Sequence, residues 1–121
     1  MSETPPLAHT LATTSQASSH RACFLLRVRS EKLAEYADVH QRVWDEMLQA
    51  LRDAGWRHYS LFLDPDTGLV VGYYEADDAR AAAAAMEDLE VNTRWQAEMA
   101  QYFQPDGGGT AHFLSQYFYL A

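Results

Sequence analysis

The 121-residue chain reads as one α+β domain whose elements follow the order β-α-β-β-α-β. Three observations predict that order. Residues 22–29 form a compact apolar run of strand composition. Two later stretches carry apolar residues three and four apart, the period of a helix that buries one face. Between them, two strand-like runs flank the turn Asp64-Pro65-Asp66-Thr67-Gly68, where proline presets one dihedral and glycine accepts positive φ.

Residues 1–20 (MSETPPLAHTLATTSQASSH) are rich in Ser, Thr, Ala and Pro without a sustained apolar period, and read as a disordered tail outside a folded domain at 21–121. They lack the positive start and the apolar core of about 7–15 residues that a secretory signal needs. Residues 22–29 (ACFLLRVR) are the first strand. Ser30 is a candidate N-cap, and Glu31 stands where a helix dipole favours negative charge. One long amphipathic helix is expected over 30–54, with Leu33, Tyr36, His40, Val43, Trp44, Met47, Leu48 and Leu51 on its apolar stripe and Gly55 as its stop. Residues 56–63 (WRHYSLFL) and 69–75 (LVVGYYE) make the hairpin. Asp77 opens an alanine-rich helix at 79–86, and a second helical segment follows over 89–103. Pro105-Asp106-Gly107-Gly108-Gly109 reads as a flexible connector, since it lacks the lysine and the strand-to-helix setting of a phosphate loop. A final strand is expected at 111–120.

This is the ferredoxin-like split βαβ order: an antiparallel sheet with its helices on one face. The strands are apolar on both faces, as in Cys23-Leu25 beside Phe24-Leu26 and Phe113-Tyr117 beside Leu114-Phe118. A sheet with one wet face would alternate more cleanly. The second face therefore needs a cover, and another copy of the chain is the natural one, giving a symmetric homodimer of the dimeric α/β-barrel type.

Bulk properties exclude several functions. Seventeen acidic side chains against nine basic give a net charge of −8, which repels phosphate backbones and anionic membranes. Neither nucleic acid nor a membrane is an expected partner, and no apolar run approaches the roughly 20 residues of a bilayer span. Cys23 is the only cysteine, so no internal disulfide forms, which fits a reducing, cytoplasmic setting.

Tyr36, His40 and Trp44, four residues apart, carry the most functional information. Tyr59 shares a strand face with Leu61 and Leu63, opposite Trp56, His58, Ser60 and Phe62; if that face lies under the helices, its hydroxyl points toward His40. Trp95 can close the space from a third side. Histidine is the side chain that most readily exchanges protons near neutrality, and aromatic rings suit the C–H faces of a neutral sugar. An aromatic stripe at helical spacing is equally the mark of a packed core, so the pattern alone leaves a structural histidine open. His9 and His20 lie in the tail, and His58 and His112 stand alone on strands. No His/Cys pair has metal-ligand spacing, so no metal is expected. Cys23, inside an apolar strand, reads as inert.

From about residue 22 to its end the chain resembles the L-rhamnose mutarotase family. The resemblance is carried by Tyr36-x-x-x-His40-x-x-x-Trp44-x-Glu46, by the run from His58 to Asp64, by Arg94-Trp95 before Met99, and by the ending Phe118-Tyr119-Leu120. It implies a small dimeric ferredoxin-like isomerase that interconverts sugar anomers without a cofactor. It makes His40 the proton donor, Tyr36 and Tyr59 substrate-binding or proton-relaying hydroxyls, and Trp95 a wall for the sugar. Two departures stand out. Gln96 occupies a position where many members carry a second tryptophan, which bears on the sugar bound rather than on the reaction, and Gln41-Arg42-Val43 replaces an Asn-Pro-containing run. The expected substrate is L-rhamnose or a related 6-deoxyhexose. Competing expectations are an L-fucose-preferring mutarotase, a cofactor-free oxygenase of the same dimeric fold, and a non-catalytic sugar-binding domain; fold alone does not choose among them.

Overall fold

The computed structural model describes residues 3–121. After a short helix α1 (Leu7–Thr13) come β1 (Arg21–Arg27), α2 (Leu33–Val39), α3 (Asp45–Asp53), the hairpin β2 (Arg57–Leu63) and β3 (Leu69–Glu75), then α4 (Ala79–Glu87), α5 (Glu90–Met99) and β4 (His112–Phe113). The sheet order is β2-β3-β1-β4 with every pairing antiparallel, which is the expected split βαβ topology.

Register decides which side chains meet. Phe24 pairs with Gly72 and Leu26 with Val70, with Leu61 and Leu63 next to them on β2. These residues face the helices. Cys23, Tyr73 and Ser60, and likewise Leu25, Val71 and Phe62, form rows on the outer face. Under the helices, Val28, Val70, Met47, Met86, Val91 and Met99 make the centre of the core. Alanine lets α4 sit close to the sheet: Ala79 and Ala82 are buried against the stack of Tyr74 and Trp56. The carbonyls of Ala79 and Ala82 accept from the Tyr74 hydroxyl and the Trp56 indole N–H. Asp78 caps α4 by accepting from the Ala81 N–H at 3.0 Å.

The hairpin turn behaves as its residues require. Asp64 accepts from the Thr67 hydroxyl and the Asp66 N–H, bonds that hold its carboxyl below the usual carboxylate range. Gly68 has φ +78°, and a Cβ there would lie 2.3 Å from the Val28 carbonyl oxygen.

The structure departs from several expectations. The long helix over 30–54 is broken. A 3-10 turn, His40–Arg42, ends the α2 segment, and Val43 and Trp44 are extended (ψ 138° and 135°) before α3 begins with Asp45 and Glu46 in its first turn. A β-branched residue ahead of two acids starts a new helix more readily than it continues an old one. Ser30 is not a cap; it opens a 3-10 turn whose N-cap is Arg29. Gly55, at φ +96°, does end α3.

The segment expected as a final strand keeps only a two-residue ladder, and Tyr117, Phe118 and Leu120 are exposed. Past Leu114, whose N–H donates to Cys23 O, the chain leaves β1 and binds the stretch before it: the Gln116 side chain accepts from the Ser18 N–H, and Arg21 lies over the Tyr119 ring. Of the residues read as a tail, 3–20 are described and include α1, while Met1 and Ser2 lie outside the described residues. α1 buries nothing, but Ser19 and His20 carbonyls accept from the Ala79 and Ala76 N–H groups. The triple-glycine connector is also pinned, since Arg27 N–H donates to Gly108 O and Gln104 N–H to Arg27 O.

Gly72 makes room for the Phe24 ring, whose atoms would lie 2.3–2.6 Å from an added Cβ. Gly72→Ala is expected to cost about 1–3 kcal/mol through this overpacking, read as a lowered urea midpoint; an unchanged midpoint would show that the ring moves freely.

Candidate active site

α2 ends at His40, whose ring turns back so that Nδ1 lies 2.7 Å from the carbonyl oxygen of Tyr36. A carbonyl only accepts, so Nδ1 carries the hydrogen. Nε2 is then the nitrogen left to exchange a proton: an acceptor in the neutral ring and a donor in the imidazolium. The Tyr36 ring packs on the imidazole at 4.4 Å between centroids. Trp95, one face of α5 buried against the core, meets the imidazole edge-on at 5.6 Å and 89°. Trp44 in turn meets Trp95 at 5.1 Å and 87°. The helix break thus takes Trp44 off the Tyr36–His40 stripe and sets it behind Trp95. Arg94 lies over Trp44 and joins α5 to α3 by binding Glu46 at 3.0 Å, while also pairing with Glu90.

Tyr59 reaches the site through a β-bulge. Arg57 pairs with Glu75 and Ser60 with Tyr73, so His58 and Tyr59 together oppose Tyr74. His58 absorbs the extra residue at φ +51°. Tyr59 therefore faces the helices with Leu61, as expected, but Trp56 does so too, its ring 4.9 Å from that of Tyr59. The expectation that Trp56 lies on the opposite face is corrected by the bulge.

A cavity of about 170 Å³ results, lined by Tyr36, His40, Tyr59, Trp95 and Gln96. This is roughly five or six water volumes, the scale of one sugar ring. Of the residues singled out in the sequence, these five line it and Trp44 does not. Gln96 is exposed at the rim, its amide 3.3 Å from Asn92 Oδ1. Phe24, Leu26, Leu61, Met99 and Phe113 supply an apolar wall that the sequence did not single out. Their alternation marked them as core and carried no sign that they border an opening.

The polar atoms are sparse and neutral. Tyr73 and Tyr74 spend their hydroxyls on Glu75 and Ala79, whereas those of Tyr36 and Tyr59 have no protein partner among the described residues. Burial pushes the Tyr36 phenol up to about 12. Tyr59 is raised further, by burial first and then by the neighbouring Tyr36 and Tyr74 phenols, although 39% of the residue is open to solvent. Neither phenol is a base near neutrality; each can donate a hydrogen bond. No group of three His, Cys, Asp or Glu side chains able to hold a metal occurs among the described residues.

The model of the L-rhamnose mutarotase family matches residues 21–120. The L-rhamnose mutarotase of Bacillus subtilis (strain 168) is 36% identical over 102 residues, covering 83% of this chain and 97% of that one. The L-rhamnose mutarotase of Tolumonas auensis is 32% identical over 103 residues, covering 84% and 98%. Among solved structures, an L-rhamnose mutarotase from Formosa agariphila superposes with a TM-score of 0.71 at 23% identity, covering 85% of this chain and all of its own. A dimeric ferredoxin-like protein from an uncultured marine organism gives 0.54 at 14% identity, covering 79% and 89%. These likenesses agree with the ferredoxin-like fold.

Between pH about 10 and 12 an unfolded chain releases the phenol proton that folded Tyr36 keeps, so stability falls as pH rises through that window. Phenolate absorbance of folded Tyr36→Phe, subtracted from that of the parent chain, should show one ionisation centred at about 12. One centred near the ordinary value of about 10 would mean that the hydroxyl stands in open water.

Proposed function

The chain belongs to the L-rhamnose mutarotase family, and we propose that it interconverts the α and β anomers of L-rhamnose or a related 6-deoxyhexose by acid–base ring opening. The observation that carries this reading is the cavity in which His40, Tyr36, Tyr59 and Trp95 meet, with the His40 Nδ1 proton committed to the Tyr36 carbonyl.

Ring opening moves two protons. The ring oxygen gains one, the anomeric hydroxyl loses one, and the bond between the anomeric carbon and the ring oxygen breaks to leave an aldehyde. Rotation presents the other carbonyl face; closure returns both protons. In this reading His40 is the proton donor, giving the Nε2 proton of its imidazolium to the ring oxygen and taking it back on closure. The anomeric proton leaves to water, because the raised phenols are poor acceptors. Tyr36 and Tyr59 bind sugar oxygens as donors. Trp95 and the apolar wall take the C–H faces and the methyl group. Gln96, at the rim, binds a hydroxyl at the end of the sugar farthest from the histidine.

The rest of the proposal concerns assembly and setting. Phe62, Leu114 and Phe118 are exposed on and beside the outer sheet face, which supports a homodimer joined through that face. No helix among the described residues is long and apolar enough to cross a membrane. The single cysteine suits a cytoplasmic enzyme. No cofactor enters the reaction as written.

Saturation-transfer NMR on L-rhamnose tests the activity: anomer exchange should exceed that in buffer, and His40→Ala should lower the catalysed rate roughly 10²–10⁴-fold. Exchange equal to that in buffer would end the mutarotase reading; exchange untouched by the substitution would show the wrong acid was named. Running L-fucose beside L-rhamnose ranks the two sugars. For the dimer, sedimentation should give twice 13.7 kDa for the native chain and a single-chain mass for Phe62→Glu. A native monomer would refute it.

A further inference from the structure

Beside the sugar cavity lies a second cleft of about 370 Å³, and Gln96, Phe103 and Gly109 line both. It has about twice the volume of the first. Its other side is made by Arg29 and the turn through Gly107 and Gly108. Arg29 is half-buried and held in place: its backbone N–H donates to Tyr102 O and its Nε to Phe103 O, each at 2.8 Å. The terminal guanidinium nitrogens make no hydrogen bond and no ion pair among the described residues, so the fixed Nε leaves them open to the cleft. The peptide N–H groups of Gly107 and Gly109 are likewise without an internal acceptor. The cleft therefore offers a fixed cation and free donors with no acid among its lining residues, a setting that favours a carboxylate over a neutral hydroxyl.

We propose that this cleft binds a carboxylate carried on the sugar, so that the substrates include acidic disaccharides with the 6-deoxyhexose at the reducing end. The proposal rests on the mutarotase reading, and that reading fixes the attachment. Ring opening needs a free anomeric hydroxyl, so the second ring must be joined through another hydroxyl, leaving the first cavity between Gln96, Phe103 and Gly109. A uronic acid is the sugar class that brings a carboxylate on such a ring. Arg29 would bind that group and take no part in proton transfer.

The test compares three substrates by exchange NMR: free L-rhamnose, L-rhamnose bearing a galacturonic acid on its O2, and the methyl ester of that disaccharide. The acid should be exchanged with a KM roughly tenfold below that of the ester, the scale of a hydrogen bond to a charged group. Arg29→Gln should raise the KM of the acid to that of the ester and leave free rhamnose unchanged. Equal KM values for acid and ester, a disaccharide that is not turned over, or an acid preference that survives Arg29→Gln would each overturn the proposal while rhamnose exchange stands. Failure of rhamnose exchange itself would instead remove the mutarotase reading beneath it. The acid–ester comparison needs no variant, so it decides the matter even if the substituted chain does not fold.

Discussion

A short contact within one helical turn, from the imidazole of His40 to the carbonyl of Tyr36, sets the proton inventory of the cavity. It uses one ring nitrogen permanently and leaves the other to the substrate. It also depends on where α2 stops. Were the helix to run on, the Tyr36 carbonyl would be taken by the backbone N–H four residues later. His40, the C-cap of α2, turns its own backbone N–H to Asp38 O, and its ring takes the Tyr36 carbonyl. The helix terminus and the tautomer are thus one fact.

Around this contact the protein has arranged rings rather than charges. Tyr36 packs tilted on the imidazole, Trp95 meets the imidazole edge-on and Trp44 meets Trp95 edge-on, with the ionic clasp of Arg94, Glu46 and Glu90 beyond them. Exposed ion pairs of this kind add little stability; their use here is to tie α3 to α5 behind the indole of Trp95. The cavity stays nearly apolar and its phenols stay protonated near neutrality. A slow reaction that already proceeds in water needs little more than an aligned acid and a dry wall.

Much of this was legible in the sequence. The hairpin was marked by Asp64-Pro65-Asp66-Thr67-Gly68, β3 has the expected bounds, and the spacing of Tyr36 and His40 put them on one face of one turn. What escaped were features with no periodic signature. A break at Val43 and Trp44 keeps the apolar stripe intact in sequence while redirecting it in space. A bulge at His58 adds one residue to a strand without changing its composition. The length of β4 depends on where its neighbour's backbone ends, which local composition cannot report. The residues singled out still meet in one cavity, since Tyr36 and His40 share a single turn and the extra residue of β2 falls at His58, ahead of Tyr59.

The irregular residue in β2 has a wider meaning. β2 is an edge strand, and the opposite edge, β4, is only two residues long. A kinked border carrying Arg57 and His58 resists the addition of further strands. Edges of this kind favour covering the apolar outer face by face-to-face contact over strand addition. Fibril-like growth, which needs a free straight margin, is denied to a chain that otherwise leaves so much oily surface in the open.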